Sequence, residues 1–370
     1  MEKIINMSVQ VSYNKQFLFG IVFLLIILFS IEMSFRTYEY ITIDCGIFEN
    51  DAFSNLSYLE IKNICYSENT LVHGKAPLYE IIPNQYKFTM NINSDGFRGN
   101  EIDLNTDNYR IFFTGGSTAF GFGSTSDKTT ISGFLQEYFD NEFGHLNVEI
   151  INAGINGADS YREILLIKEK LIEYNPNLII SYTGVNDSGG YSREIIFDDS
   201  NDDSNDDSTQ NLFKFSSYPW YRTPFVINNL LSENTINNKK ILELSPQEIQ
   251  KTSESFKKNW SQSCTFLENN KIKSVLILQP SLVTKTMLSD FEKKIEPSIN
   301  YRKQLLEKFS NELEVLNGDC DYTFDFRDTI SNTSKTTYYD AVHMNDLGNQ
   351  IVAKIIYEKI LPIIMEDLQK

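Results

Sequence analysis

The chain reads as an α/β protein: a three-layer α/β/α sandwich with a mostly parallel sheet of five strands, preceded by an N-terminal transmembrane helix. Three observations predict this. From residue 109 onward, short apolar segments alternate with longer segments of helical period, the order that builds a parallel sheet covered on both faces. The 370 residues, 41% hydrophobic and 22% charged, suffice for one such domain with extensions. Near the N-terminus lies one long apolar run.

That run, Phe17 to Ile31, is apolar apart from Ser30, and Met33 to Phe35 extend it past Glu32. A span needs about 20 residues and the core of a signal peptide about 7–15, so the run lies between the two. No small-x-small cleavage pattern follows it. An uncleaved anchor over 17–35 is therefore preferred to a cleaved signal or a buried core helix. Lys3 and Lys15 precede the run, and beyond Arg36 the acidic Asp44, Glu49 and Asp51 dominate. This bias puts residues 1–16 in the cytoplasm and the main domain outside, as a single-pass membrane protein.

Residues 36–108 show no long helical period and read as an extension packing on the domain that follows. Within them Lys87 to Asn93 alternates as a strand, and Ser94-Asp95-Gly96 makes a turn. Arg98 is more readily tied to a carboxylate than left to meet an anionic substrate group. From there strands read at 109–115, 148–153, 177–183, 272–279 and 322–327. Helices read at 128–142, 160–174, 246–269, 297–315 and 346–367. The last has Asn345 or Asp346 as N-cap and Leu347, Ile351, Ile355 and Ile356 as its apolar face. An insertion, 188–245, breaks the alternation. Its 198–208 run repeats Asn-Asp-Asp-Ser, cannot bury a core and predicts a mobile loop, and it lacks the glycine and terminal glutamate of an EF-hand. Tyr218, Trp220 and Tyr221 follow it. They suit either a wall over a site that takes sugar or acyl groups, or packing against the sheet rim.

A net charge of −17 argues against nucleic acid and against a basic patch on anionic lipid. Solubility alone accounts for it. With three histidines, no HxH or HExxH spacing and no CxxC pair, neither a metal nor a cofactor is expected. Cys45, Cys65, Cys264 and Cys320 could pair locally as two disulfides in an exported chain, and four buried thiols are the equal alternative.

Chemistry gathers at the strand ends. Thr114-Gly115-Gly116-Ser117 places a serine on a glycine-made turn at the carboxyl end of the first strand, where ligands bind in open α/β sheets. Acyl transfer to a serine needs a base, a group to orient that base, and donors for the developing oxyanion. Gly157 after the second strand can offer a backbone N–H, and Asn186 after the third a side-chain amide. His343, after the last strand, can serve as base, and Asp340, three residues earlier, can hold its Nδ1 proton. Each residue has a bland reading alone: a turn glycine, a capping asparagine, a structural histidine. The joint pattern is what counts, in residue types, order and place.

The four stretches Gly115 to Gly121, Asn152 to Gly157, Gly184 to Asp187 and Asp340 to His343 resemble the sequence blocks of the SGNH, or GDSL-type, hydrolase superfamily, over roughly residues 109–356. Asn93 to Gly99 looks like the segment that often precedes the serine block in its membrane-anchored members. The resemblance implies a flavodoxin-like sandwich spanning 109–370, with Ser117 as nucleophile, His343 as base and Asp340 as its partner. The N–H groups of Ser117 and Gly157 and the Asn186 amide would form the oxyanion hole, and no cofactor is required. Gly116 stands where the GDSL signature has Asp, which bears on the substrate class more than on the chemistry. Asn186-Asp187-Ser188 is a formal glycosylation sequon, expected to stay unmodified because a glycan would block the site. The preferred expectation is an extracytoplasmic serine esterase acting on O-acyl, chiefly O-acetyl, esters of cell-surface glycans. An O-acyltransferase using the same residues is the alternative, and a non-catalytic glycan-binding module is a third of another class.

Overall fold

The structure is a computed structural model that describes residues 12–189, 222–223, 226–227, 244–295 and 300–369. The 198–208 run and Tyr218, Trp220 and Tyr221 lie outside these residues.

Helix α1, Tyr13–Thr42, overruns the apolar run at both ends. It has no buried residue over its length and is long and apolar enough to cross a membrane. Past Phe35 it continues because nothing from 36 to 42 breaks a helix and Arg36 pairs with Glu32 one turn back, at 2.7 Å. Its far end is tied down. Glu32 accepts from the backbone N–H groups of Arg222 (2.7 Å) and Thr223 (3.0 Å), and the Arg222 guanidinium pairs with Glu39. Lys62 donates to the carbonyls of Ile41 and Ile43 at 3.1 and 2.7 Å.

Residues 36–108 differ from expectation in two ways. A second helix, α2, runs Tyr58–Asn69, closed by a capping box in which Ser57 and Glu60 satisfy each other's backbone N–H groups. The stretch Lys87 to Asn93 is not one strand. Strands β1 (Gln85–Tyr86) and β2 (Asn91–Ile92) pair antiparallel around a turn closed by the Lys87 N–H on the Met90 carbonyl, 2.9 Å. Arg98 is buried, and its guanidinium meets Asp127 at 2.8 Å and the carbonyls of Thr89, Phe120 and Gly121. The arginine thus ties loops together, as the sequence favours.

The body begins with β3, Tyr109–Gly115, and a one-turn helix α3, Ser117–Phe120. The helix expected from 128 starts later. Residues Asp127–Thr129 form a 3-10 turn, and Thr130 caps α4, Ile131–Phe143, by accepting from the Gly133 N–H. Then come β4 (Val148–Asn152), α5 (Ser160–Glu169, with a 3-10 turn from Leu171 to Tyr174) and β5 (Leu178–Thr183). After the insertion follow α6 (Pro246–Asn269), β6 (Lys273–Leu278), α7 (Asn300–Leu316), β7 (Tyr322–Asp325) and α8 (Asp346–Asp367). The five strands β3 to β7 pair only in parallel, in the order β4-β3-β5-β6-β7, a doubly wound arrangement.

Alternation along β3 builds the two cores. Ile111 and Phe113 point towards α4 and α8, and Phe112 points towards α5, α6 and α7. All three are fully buried, each contributing about 1.5–3 kcal/mol. The buried face of α8 is rotated from the expected one. Val352, Ala353, Ile356, Tyr357, Ile360 and Ile364 face the sheet, and of the four expected residues only Ile356 is fully buried. Apolar residues stand on every side of this helix, so the sequence did not single out which face is buried. Disulfides join Cys45 to Cys65 and Cys264 to Cys320.

Candidate active site

The carboxyl ends of β3 and β5 lie side by side, the point where successive connections depart to opposite faces of the sheet. Ser117 opens α3 there and is 7% exposed. Its carbonyl accepts from the N–H groups of Gly121 (2.9 Å) and Phe122 (3.0 Å). Asn152, at the end of β4, steadies this turn by donating to the carbonyls of Ala119 and Phe120, both at 3.1 Å. A Cβ on Gly154 would sit 2.3 Å from the Phe120 nitrogen, so the β4 loop reaches the serine turn only as glycine.

Asn186 follows β5. Its Nδ2 donates to the Ala158 carbonyl at 2.6 Å. A Cβ on Gly116 would lie 2.2 Å from the same Nδ2, so the amide occupies the space beside the residue preceding Ser117. Gly157, one residue before Ala158, is exposed with φ +70°. A Cβ there would meet only Arg162 Nη1, at an ordinary 3.8 Å, so the backbone angle rather than crowding demands glycine. Asp187 is buried below, accepting from the Ser160 N–H (3.1 Å) and Oγ (2.5 Å), and burial pushes its carboxyl up to about 7.

His343 comes from the loop between β7 and α8. Its Nε2 lies 2.6 Å from Ser117 Oγ, and its Nδ1 lies 2.7 Å from Asp340 Oδ2. The other Asp340 oxygen accepts from the N–H groups of Val342 (2.8 Å) and His343 (2.7 Å). Burial opposes ionisation of Asp340, but the His343 ring and those N–H groups outweigh it and hold the carboxyl below the usual aspartate value. The loop is pinned from beneath by a buried ion pair. Lys285 Nζ is 2.6 Å from Glu292 Oε2, and Glu292 Oε1 accepts from the N–H groups of Thr337 (2.9 Å) and Tyr338 (3.1 Å). From above, the Tyr339 ring stacks on His343 (centroids 5.6 Å apart) and packs against Phe53. Asn50 donates to the Tyr339 carbonyl at 2.7 Å.

The structure thus brings Ser117, His343 and Asp340 into one hydrogen-bonded line, with Asn186 beside it and Gly157 on the adjoining turn. Sequence reasoning missed Glu68, Lys285 and Glu292. The two pinning residues leave no local signature, and Glu68, whose Oε1 accepts the Gly123 N–H at 2.5 Å, sits on the helix that was not expected. Among the described residues no group of three or more His, Cys, Asp or Glu could hold a metal ion.

No protein-family model and no curated protein matches the chain. Among solved structures it is similar to an acetyl xylan esterase at 17% identity, over 68% of this chain and 99% of that one, with a TM-score of 0.42. It is also similar to a GDSL-like lipase from Parabacteroides merdae at 14% identity, over 70% and 98%, with a TM-score of 0.42. A catalytic mutant of an acetylxylan esterase from Geobacillus stearothermophilus gives 12% identity, over 68% and 94%, with a TM-score of 0.42. At these identities and scores the likeness carries nothing about activity.

Proposed function

We propose that the protein is a serine ester hydrolase of the SGNH, or GDSL, type. The observation that supports this best is the Ser117–His343–Asp340 line, with its two contacts of 2.6 and 2.7 Å. His343 Nε2 takes the Ser117 proton as Oγ attacks the ester carbonyl. The oxyanion is held by the N–H groups of Ser117 and Gly157 and by the Asn186 amide. The imidazolium then protonates the departing alcohol, and water repeats the sequence on the acyl-enzyme. Asp340, kept ionised, orients the ring and balances its charge.

The substrates fitting this reading are O-acyl esters, chiefly O-acetyl groups on cell-surface glycans. An anchor at the N-terminus, with residues 1–16 inside and residues 109–370 outside, would hold the site among such polymers. Residues 36–108 pack on that domain as an extension.

The test is p-nitrophenyl acetate hydrolysis and acetate release by the full-length protein in detergent. Ser117→Ala and His343→Ala should each lower kcat by about 10⁶-fold, and Asp340→Asn by about 10⁴-fold. The rate should rise with pH as His343 loses its proton, because only the neutral ring accepts one. Turnover that survives Ser117→Ala sinks the proposal. Labelling of Ser117 by a fluorophosphonate without turnover points instead to an acyltransferase lacking its acceptor.

A further inference from the structure

We propose that Glu68, carried by the N-terminal extension, is a positioning residue of this site: its carboxyl group fixes the segment leaving Ser117 and places a second ionisable acid beside His343. The inference rests on the hydrolase reading and deepens it.

Glu68 stands in the last turn of α2, three residues after Cys65, whose bond to Cys45 fastens the helix. Its Oε1 accepts the Gly123 N–H at 2.5 Å. Gly123 lies one residue past Phe122, and the N–H groups of Gly121 and Phe122 both close on the Ser117 carbonyl. A Cβ on Gly123 would meet Tyr339 Cε1 at 2.2 Å, so this glycine lies against the ring that stacks on His343. One carboxyl group therefore holds the strip of backbone between the serine turn and the histidine's packing partner.

The charged and titratable groups acting on Glu68 come from two elements. Arg98 in the loop before β3, and Tyr339, Asp340 and His343 in the loop before α8, act on it through their charges. Gly123 contributes only its N–H. Burial pushes the Glu68 carboxyl up to about 7, against the Gly123 N–H, His343 and Arg98, which favour its ionised form. Glu68 is therefore a second acid able to change charge near neutrality at this site, and its ionised form favours a protonated His343 ring. When Ser117 gives its proton to His343, the imidazolium so formed is stabilised by the Glu68 carboxylate. A structural cap on Gly123 would supply the hydrogen bond and none of this coupling.

Two variants separate charge from hydrogen bond. Glu68→Gln keeps an acceptor for the Gly123 N–H and cannot ionise, whereas Glu68→Ala removes both. The readouts on the full-length protein are the NMR titration of the His343 ring, assigned among three histidines, and the rate of Ser117 labelling by a fluorophosphonate between pH 5 and 8. In Glu68→Gln the His343 midpoint should fall by about 0.5–1 pH unit, because a nearby negative charge is lost. In Glu68→Ala labelling should also slow at least about tenfold at every pH, as the serine turn loses its tie. A His343 titration identical in wild type and Glu68→Gln overturns the coupling, and wild-type labelling in Glu68→Ala overturns the positioning. A wild-type protein that neither labels nor turns over ester, yet whose His343 still shifts in Glu68→Gln, defeats the hydrolase reading and leaves the coupling standing.

Discussion

Gly116 offers a substitution whose cost can be worked out atom by atom. Its φ of −79° and ψ of −156° are extended backbone open to any residue, so Gly116→Ala strains nothing along the chain. The new Cβ would lie 2.2 Å from Asn186 Nδ2 and 3.3 Å from the Ala158 carbonyl oxygen. Something must move, and the freest atom is the end of the Asn186 side chain. Swung aside, the amide loses its 2.6 Å bond to Ala158. On the hydrolase reading it also withdraws its second N–H from the oxyanion. Loss of one such donor costs on the order of 10²–10³ in kcat, or about 2.7–4 kcal/mol of transition-state stabilisation. Stability should drop by only about 1 kcal/mol, the worth of one hydrogen bond. The assay is kcat and KM on p-nitrophenyl acetate for Gly116→Ala, Asn186→Ala and the double variant, with urea denaturation alongside. Both changes remove the same donor, so the double variant should be no slower than the worse single one. Wild-type kcat in Gly116→Ala, or losses that simply add, would refute the reasoning.

Two further predictions concern the frame around the site. Glu292→Ala strands a buried ammonium on Lys285 and should destabilise the protein by about 3–5 kcal/mol, read by denaturant unfolding, whereas exchanging both partners for methionine should cost less. The same variant frees the N–H groups of Thr337 and Tyr338, so Ser117 labelling should slow even where the chain is folded. Replacing Cys264 and Cys320 by serine opens a loop of sequence separation 56 and should cost about 4 kcal/mol of stability, with the rate per folded molecule unchanged.

Particular residues show which parts could be read ahead. The strands were legible because each is a short apolar run bounded by turn formers, and β3 runs as expected from Tyr109 to Gly115. The order of the strands was not, since pairing depends on partners far apart in sequence. The candidate residues Ser117, Gly157 and Asn186 could be named because each stands soon after a strand within a short local pattern, and Asp340 and His343 because they share one in the loop before α8. Glu68 could not: its partner Gly123 is 55 residues away, and nothing near either residue points to the other. Helix α2 was passed over because its faces are mixed in polarity, though the pair Ser57 and Glu60 signalled its start. Lys87 to Asn93 alternates like a strand but turns at its centre, where local hydrogen bonding prevails over alternation.

Helix α1 leaves its apolar stretch without a break and ends only at Thr42, gripped by Lys62, Arg222 and Thr223. From Phe35 to Thr42 it rises about 10 Å. If the apolar part lies in a bilayer, the α/β domain is mounted on a short post rather than tethered by a leash. The mouth of the site would then keep a fixed height and tilt above the lipid, and swivelling about the post would be its main freedom. On the hydrolase reading, reach then falls to the substrate. A flexible polymer could thread past the post and be worked on along its length, while an ester held rigidly farther from the membrane than the domain is tall would never be touched.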